Sequence, residues 1–476
     1  LRISINKLCS YILLIVSAII FCIAFFNKSI EVKAVGIFVI LISNMILSFE
    51  NIKKNVLFLL FNISFFLFLF SRFSLNIFLN YESTEYGMYG TNFTNMETIN
   101  FMLDSLYISL FFLVMGYLFF SRINFTEKKE NKDNSLYYFK ISSMLFFVIT
   151  FLFKFIYIKD QSSFVSSTSY YDFFLSYQSN LPRWIVKLAE MNLISYVAFI
   201  SSKPNKKEFR IITGLFLLVS LYSMTVGRRI EFMLNILLIV IYLTLKNDSD
   251  SSKKLSFKNK LTIILGSPFL LILLNSISSK RDSIHQQTLG LFGNVKSFLF
   301  SQGVTVNLIG YTYEFKDTLP KGKLYSFGPL IEFVQSNVIY KKIFGSTAFS
   351  GQTVERAMEG NLFAHTISYY IMPTAYLLGR GYGSSYIAEV YYDFGFIGLI
   401  TANIFIGMLL SLLPRLLNKN NWILNIFSFM FMRNILLIPR AEFISFVSNS
   451  ITFINILGIL MIYFLGITIK RIKKEK

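Results

Sequence analysis

LCSYILLIVSAIIFCIAFF, residues 8–26, contains no charged side chain. Wound as a helix at about 1.5 Å per residue, a run of this length crosses the hydrocarbon core of a bilayer. Arg2 and Lys7 precede it, and no small-residue cleavage site comes after it, so it reads as a retained first span and not a leader peptide. Eleven further apolar runs lie at 30–49, 55–79, 101–121, 136–158, 184–201, 209–226, 230–246, 259–277, 384–413, 421–438 and 447–469. Unpaired backbone groups are not tolerated in hydrocarbon, so spans must be helices or strands of a closed barrel. These runs have helix length. The expected fold class is therefore all-α: a polytopic integral membrane protein with about twelve transmembrane helices.

Composition agrees. Of 476 residues, 54% are hydrophobic and 15% charged, with a mean hydropathy of +0.56. A soluble domain cannot hide that much apolar surface. The 54 phenylalanines fit side chains that face lipid tails. The net charge of +20 is scattered between apolar runs and forms no continuous patch, which argues against nucleic-acid binding. The two cysteines, Cys9 and Cys22, both lie in the first run and make neither a disulfide framework nor a metal site.

Lys and Arg set the orientation. Alternate loops are basic: Lys53 and Lys54; Arg122, Lys128, Lys129 and Lys132; Lys203, Lys206, Lys207 and Arg210; Lys246 to Lys260; Arg415 and Lys419; and the tail from Lys470 to Lys476. The intervening loops are poor in bases, and the one near 80–100 holds only Glu82, Glu85 and Glu97. Twelve spans with both termini in the cytoplasm put every strongly basic loop inside. The chain then divides into nine spans over 1–277, a large external loop with short helices over 278–383, and three spans over 384–476. A long loop in such a compact arrangement usually carries function. A smaller external loop, 159–183, is rich in Ser and Tyr. Thr288 to Leu308 reads as an amphipathic helix, re-entrant, interfacial or soluble. No repeat of fixed period is visible, which counts against an inverted-repeat transporter.

Ionisable residues at membrane level are costly and so mark candidate sites. Several basic residues lie at outer span ends, against the general trend: Arg228 and Arg229, Lys280 and Arg281, Arg380, Arg433 and Arg440. Taken singly, each is accounted for by snorkelling to headgroups. As a set they suit a phosphate or pyrophosphate, which guanidinium binds in bidentate fashion. The glycine-rich stretch Gly379–Gly383 opens a long apolar helix, with Ser384 or Ser385 placed to cap it. Glu389 and Asp393 come next, four apart on one helix face. Mutual repulsion would raise the proton affinity of one of them and make Glu389 a candidate general base; a helix-start Glu favoured by the dipole is the plainer reading. Asp393, deeper in the span, is expected to pair with an arginine or a hydroxyl. The histidines, His285 and His365, make no metal motif; His365 is a second candidate proton acceptor. Asp248-Ser249-Asp250 matches a metal-binding D-x-D but sits in a polar linker and is set aside.

Gly381-Tyr382-Gly383-Ser384-Ser385-Tyr386-Ile387-Ala388-Glu389-Val390-Tyr391-Tyr392-Asp393-Phe394-Gly395, followed by Gly398, resembles a motif of the Wzy-type O-antigen and capsular polysaccharide repeat-unit polymerases. Ser301-Gln302-Gly303, His365 with Ser368-Tyr369, and the turn Gly227-Arg228-Arg229 are similar to family positions too. The resemblance implies a GT-C-like helical architecture in the bacterial cytoplasmic membrane. It also implies a glycosyltransferase that joins repeat units carried on undecaprenyl pyrophosphate at the outer face. Its partners would be those lipid-linked glycans, the bilayer, and flippase and chain-length regulator proteins. In this reading Glu389 or His365 is the base, and Arg228, Arg229, Arg281, Arg380 and Arg440 contact pyrophosphate. Tyr386, Asp393 and Gln302 are supporting candidates. Pyrophosphate leaves readily, so the chemistry requires no metal or other cofactor. A lipid-linked oligosaccharide flippase and a glycan ligase are the rival readings. A chain-length regulator would need few spans and a long coiled coil, and neither is present.

Overall fold

The computed structural model describes residues 4–81, 87–123, 135–168, 173, 176–246, 290–336, 342–343, 349, 351–417 and 421–474. Among these residues all regular structure is helical. The long helices are α1 (Ile5–Asn27), α2 (Ile30–Glu50), α3 (Ile52–Leu79), α4 (Met96–Ser121), α5 (Ser135–Ser167), α6 (Arg183–Ser201), α7 (Lys206–Tyr222) and α8 (Arg229–Lys246). From 290 to 378 the helices are shorter: α9 (Leu291–Gln302), α10 (Asn307–Phe315), α11 (Gly328–Gln335), α12 (Val354–Glu359), α13 (Phe363–Ile371) and α14 (Pro373–Leu377). The chain ends with α15 (Tyr386–Leu416), α16 (Trp422–Ile435) and α17 (Phe453–Lys474).

Nine of the described helices are long and apolar enough to cross a membrane. The protein is thus a polytopic membrane protein. The runs at 230–246 and 421–438 are helical, but α8 carries Arg229, Glu231 and Lys246 and α16 is short. The run at 259–277 lies outside the described residues, as do Arg281, His285, Asp248 and Asp250. The helix expected over Thr288 to Leu308 is described from Leu291 and stops at Gln302. A tighter turn, Gly303–Val306, and then α10 come after it.

Packing divides the chain into two units, each built from separated stretches. The first comprises 1–123, 244–411 and 436–445; the second comprises 124–243, 412–435 and 446–476. In the first unit, α1 and α2 lie side by side and share a buried serine pair, Ser10 and Ser43, with hydroxyls 3.1 Å apart. Asn44 on α2 donates to Asn62 on α3 at 2.9 Å. Lys33 on α2 meets Asp104 on α4 at 2.6 Å, a buried pair that satisfies two charges which would otherwise be prohibitive there. Helices α4 and α15 approach closely through Gly116 and Gly407. A Cβ on either would fall 2.4 or 2.3 Å from a backbone carbonyl oxygen of the other helix. Small residues at such crossings are the usual means of packing helices in lipid, where no hydrophobic drive exists between them.

In the second unit, Phe139 on α5 stacks on Trp422 of α16, whose indole N–H donates to the carbonyl of Ala198 at 2.9 Å. Tyr196 and Phe216 stack at 3.9 Å. Gly458 lets α17 approach Ile194 on α6.

Two helices of the first unit are distorted. Residues Phe66–Phe70 of α3 form a π-helical turn, a feature that recurs at functional sites. Gly395 breaks α15 at φ +61°, ψ −154°, a conformation open essentially only to glycine. The residues around 308–392 close a small core of Leu308, Leu319, Tyr325, Phe363 and Ile367 onto Ala388 in the first turn of α15.

Candidate functional site

The approach to α15 is built by glycine. Gly379 (φ +87°) and Gly383 (φ +79°) take left-handed conformations, and the Tyr382 N–H donates to the Ser368 hydroxyl on α13 at 3.1 Å. Neither serine caps the helix through its side chain. The Ser384 hydroxyl donates to Glu389, while that of Ser385 is buried without a partner among the described residues.

Glu389 is fully buried. Its second carboxylate oxygen accepts the Phe443 N–H at 2.9 Å. That bond ties the start of α15 to the irregular segment after α16, where Ile438–Arg440 form one tight turn and the backbone is non-helical up to Ser445. Asp393 turns elsewhere. It accepts the N–H groups of Tyr325 (3.2 Å) and Ser326 (2.8 Å) and the Ser326 hydroxyl. The expected repelling pair is thus two carboxylates with separate partners, and Asp393 meets the hydroxyl expected of it. Sharing a helix face set their spacing, but segments distant in sequence set their bonds.

Arg440 and Gln302, 138 residues apart, meet: the guanidinium donates to the Gln302 amide oxygen at 2.6 Å and lies 5.3 Å from the Phe68 ring in the π-helical turn. Gln302 is held by what precedes it. Buried Arg72 donates to the Phe300 carbonyl at 2.9 Å and stacks on that ring, while the Ser71 hydroxyl donates to the Leu299 carbonyl at 2.9 Å. Gly303 is needed at this contact, because a Cβ there would stand 2.4 Å from the Ser71 oxygen. Glu389, Arg440 and Gln302 therefore belong to one connected set in the first unit.

His365 is in the same unit, on α13. Its Nδ1 lies 3.0 Å from the Tyr376 hydroxyl, which also faces the Thr353 carbonyl. Burial, and then the charge of Arg356, holds the imidazole down to about 4, so it is neutral near pH 7 and takes up a proton less readily than an exposed histidine. Arg356 is itself paired with Glu332 at 3.4 Å. The Arg380 side chain is exposed, and its carbonyl accepts from Gln352. Tyr386 is buried, its hydroxyl donating to Asn403 at 2.8 Å.

Arg228 and Arg229 belong to the second unit. Gly227 (φ +84°) makes the turn that starts α8. Arg228 faces Glu231 one turn on at 3.7 Å, and Lys154 of α5 reaches the same carboxylate at 3.6 Å. Arg433, buried on α16, donates to Asn235 (3.0 Å) and Asn434 (2.8 Å). Sequence reasoning passed over Lys154, Glu231 and Arg72. All three are charged residues within or beside apolar runs, the signal by which intramembrane sites are found.

A sequence model of the family described as O-antigen polysaccharide polymerase Wzy matches residues 9–475, nearly the whole chain. No curated protein and no solved structure matches it significantly.

Proposed function

The chain belongs to the O-antigen polysaccharide polymerase Wzy family, and from that membership we propose that it polymerises undecaprenyl-pyrophosphate-linked repeat units at the outer face of the cytoplasmic membrane. The match over nearly the full length carries this reading. The growing glycan leaves its lipid carrier and moves to the non-reducing end of a new lipid-linked unit. An acceptor hydroxyl oxygen bonds to the anomeric carbon, the bond from that carbon to the pyrophosphate oxygen breaks, and the lipid pyrophosphate leaves. The hydroxyl proton passes to a base.

The chemistry needs a proton acceptor near the hydroxyl and positive charge near the pyrophosphate. His365 offers a neutral imidazole. Glu389 offers a carboxylate that would first have to release Ser384 or Phe443. Arg228, Arg229, Arg380 and Arg440, with Arg281, are the candidates for pyrophosphate. Gln302 fixes Arg440, Asp393 fixes the turn at 325–326, and Tyr386 anchors the start of α15.

Reconstitution in liposomes with synthetic lipid-pyrophosphate repeat units tests the reading. A ladder of products is expected. A change of sidedness without new bonds would mean a flippase, and a single capped product a ligase. Arg229→Ala and Glu389→Gln should abolish the ladder while the protein still inserts; normal ladders from both would discard these assignments. Turnover should persist in EDTA, because pyrophosphate is already a good leaving group. Loss restored by added metal would show a metal requirement.

A further inference from the structure

The strip Leu436–Ser445 of the first unit makes one tight turn and has no α-helical stretch before Ser445. Side chains from elsewhere in that unit pin it. The Ser64 hydroxyl on α3 donates to the Leu436 carbonyl at 2.6 Å. Arg440 donates to Gln302 at 2.6 Å, and Glu389 accepts the Phe443 N–H at 2.9 Å. Ile438, Phe443 and Ile444 are buried. Glu442 stands between two of these anchors and is partly buried. Ala441 (φ −138°, ψ 178°) is extended, which sets the Arg440 and Glu442 Cα atoms about 6–7 Å apart. The other partly or wholly buried carboxylates described in this unit are all engaged. Asp104 meets Lys33, and Glu332 meets Arg356 and the Asn361 N–H. Glu389 has Ser384 and Phe443; Asp393 has Tyr325 and Ser326. Among the described residues Glu442 is hydrogen-bonded by its own N–H only. The charges that act between it and its surroundings are those of two carboxylates, Glu332 on α11 and Glu389 on α15. Such an arrangement costs stability, and groups held at that cost concentrate where they act.

We propose that Glu442 is the proton acceptor of the glycosyl transfer and that Glu389 is its positioning residue. The assignment rests on the polymerase reading above. The acceptor hydroxyl oxygen bonds to the anomeric carbon as the bond from that carbon to the pyrophosphate oxygen breaks. The electron pair of that bond leaves with the lipid pyrophosphate, and the hydroxyl proton moves to a carboxylate oxygen of Glu442.

A general base needs an uncommitted lone pair, access to the substrate and enough affinity for the proton. Both oxygens of Glu389 are already bonded, and its side chain is fully buried. Glu442 has no bond from another described residue and is partly exposed. Burial first, with Glu332 adding to it, holds the Glu442 carboxyl above its ordinary value of 4.5 against the pull of its own N–H. His365, by contrast, is held down to about 4. The geometry also explains what Glu389 does with its second oxygen. By accepting the Phe443 N–H it fixes the backbone next to Glu442, as Gln302 fixes Arg440 two residues before. A base and a cation thus stand on one pinned strip, beside each other and aligned by bonds from distant parts of the unit.

The full-length protein in liposomes, supplied with synthetic lipid-pyrophosphate repeat units, gives the assay. Glu442→Gln keeps the size of the side chain but cannot take the proton. It should lower kcat by about a hundredfold or more and leave KM nearly unchanged. The base must be unprotonated, so wild-type kcat/KM should fall as pH drops through a value above 4.5; Glu442→Gln should lack that acid limb. Glu442→Ala should regain turnover when formate, a small carboxylate, is added. Glu389→Ala should not, because there the base is intact and only its placement is lost. Thermal unfolding shows whether each variant is folded. If Glu442→Ala is not, Glu442→Asp, with its carboxylate drawn back by one methylene, should show lower kcat, unchanged KM and a retained acid limb. Normal turnover by a folded Glu442→Gln, or an acid limb that it keeps, overturns the base role. Formate rescue of Glu389→Ala in place of Glu442→Ala makes Glu389 the base. A wild-type ladder that Glu442 variants leave unaltered removes this role alone, whereas a wild type that builds no ladder removes the polymerase reading and this role with it.

Discussion

His365 shows how a single residue changes meaning between sequence and structure. In the sequence it is a lone histidine without metal-ligand spacing. In the structure its Nδ1 faces Tyr376 at 3.0 Å, and burial with Arg356 nearby brings it from an ordinary value of 6.5 to about 4. Between those two values the unfolded chain binds a proton that the folded chain refuses. The contribution to stability is therefore complete above about pH 6.5 and is lost as pH falls toward 4. The thermal midpoint in detergent should fall from pH 7 to pH 5, and the His365→Asn variant should lack that part of the slope; parallel curves would show that His365 is not the group responsible. Asp393 is a second case. It accepts two backbone N–H groups and a hydroxyl from 325–326, so Asp393→Ala should destabilise the protein by about 1–3 kcal/mol, read as a lowered melting temperature. Asp393→Asn, which keeps one acceptor oxygen, should lose less. Residue types in the motif were legible, because glycines, serines and a carboxylate at a helix start constrain the chemistry. Their partners were not: Phe443 and Ser326 lie 54 and 67 residues away from the carboxylates they bond, and no local pattern encodes such distances.

Helices were legible where an apolar run is long and uniform. The π-helical turn Phe66–Phe70 inside α3 was not, because a register change of one residue leaves hydropathy untouched. The segment after α16 was legible only in outline: the run at 447–469 lies within a candidate span, Ser445–Lys473, but the irregular chain between the end of α16 at Ile435 and the start of α17 at Phe453 has no signature in hydropathy. Between them the chain delivers Arg440 to Gln302 and the Phe443 N–H to Glu389, which a continuous helix would not do. Helix crossings make a sharper test. Gly407 on α15 lies so close to α4 that a Cβ would sit 2.3 Å from the Leu113 carbonyl oxygen, whereas Gly214 on α7 has open space around it. Gly407→Val should cost about 1–3 kcal/mol or more through forced separation of the two helices. Gly214→Ala should be neutral or stabilising by up to about 1 kcal/mol. Melting curves of both variants in the same detergent decide this; equal behaviour would mean that the α4–α15 contact carries no stability.

At the scale of the whole molecule the deciding quantity is parity. The distribution of Lys and Arg predicts one side of the membrane for the basic loops after α2, α4 and α6 and for the basic tail. Each span reverses the side, so with α8 crossing, as the apolar run at 230–246 predicts, the segment between α8 and α15 lies opposite those loops only if 259–277 crosses as well. Without that span, Arg380, His365 and the start of α15 would face the cytoplasm, and no lipid-linked glycan presented outside could reach them. Single cysteines placed after Cys9 and Cys22 are changed to Ser resolve the matter through labelling by a membrane-impermeant thiol reagent in intact cells. Asn180→Cys and Ser336→Cys, both at exposed positions, should label at once. Lys206→Cys, also exposed, should label only after the membrane is opened. If Ser336→Cys instead behaves like Lys206→Cys, the number of crossings between 206 and 336 is even, one of α8 and 259–277 does not cross, and the outward-facing polymerase site falls with it. The labelling thus tests whether the distribution of the +20 charge, which by itself names no partner, sets the face of the membrane on which the proposed reaction would run.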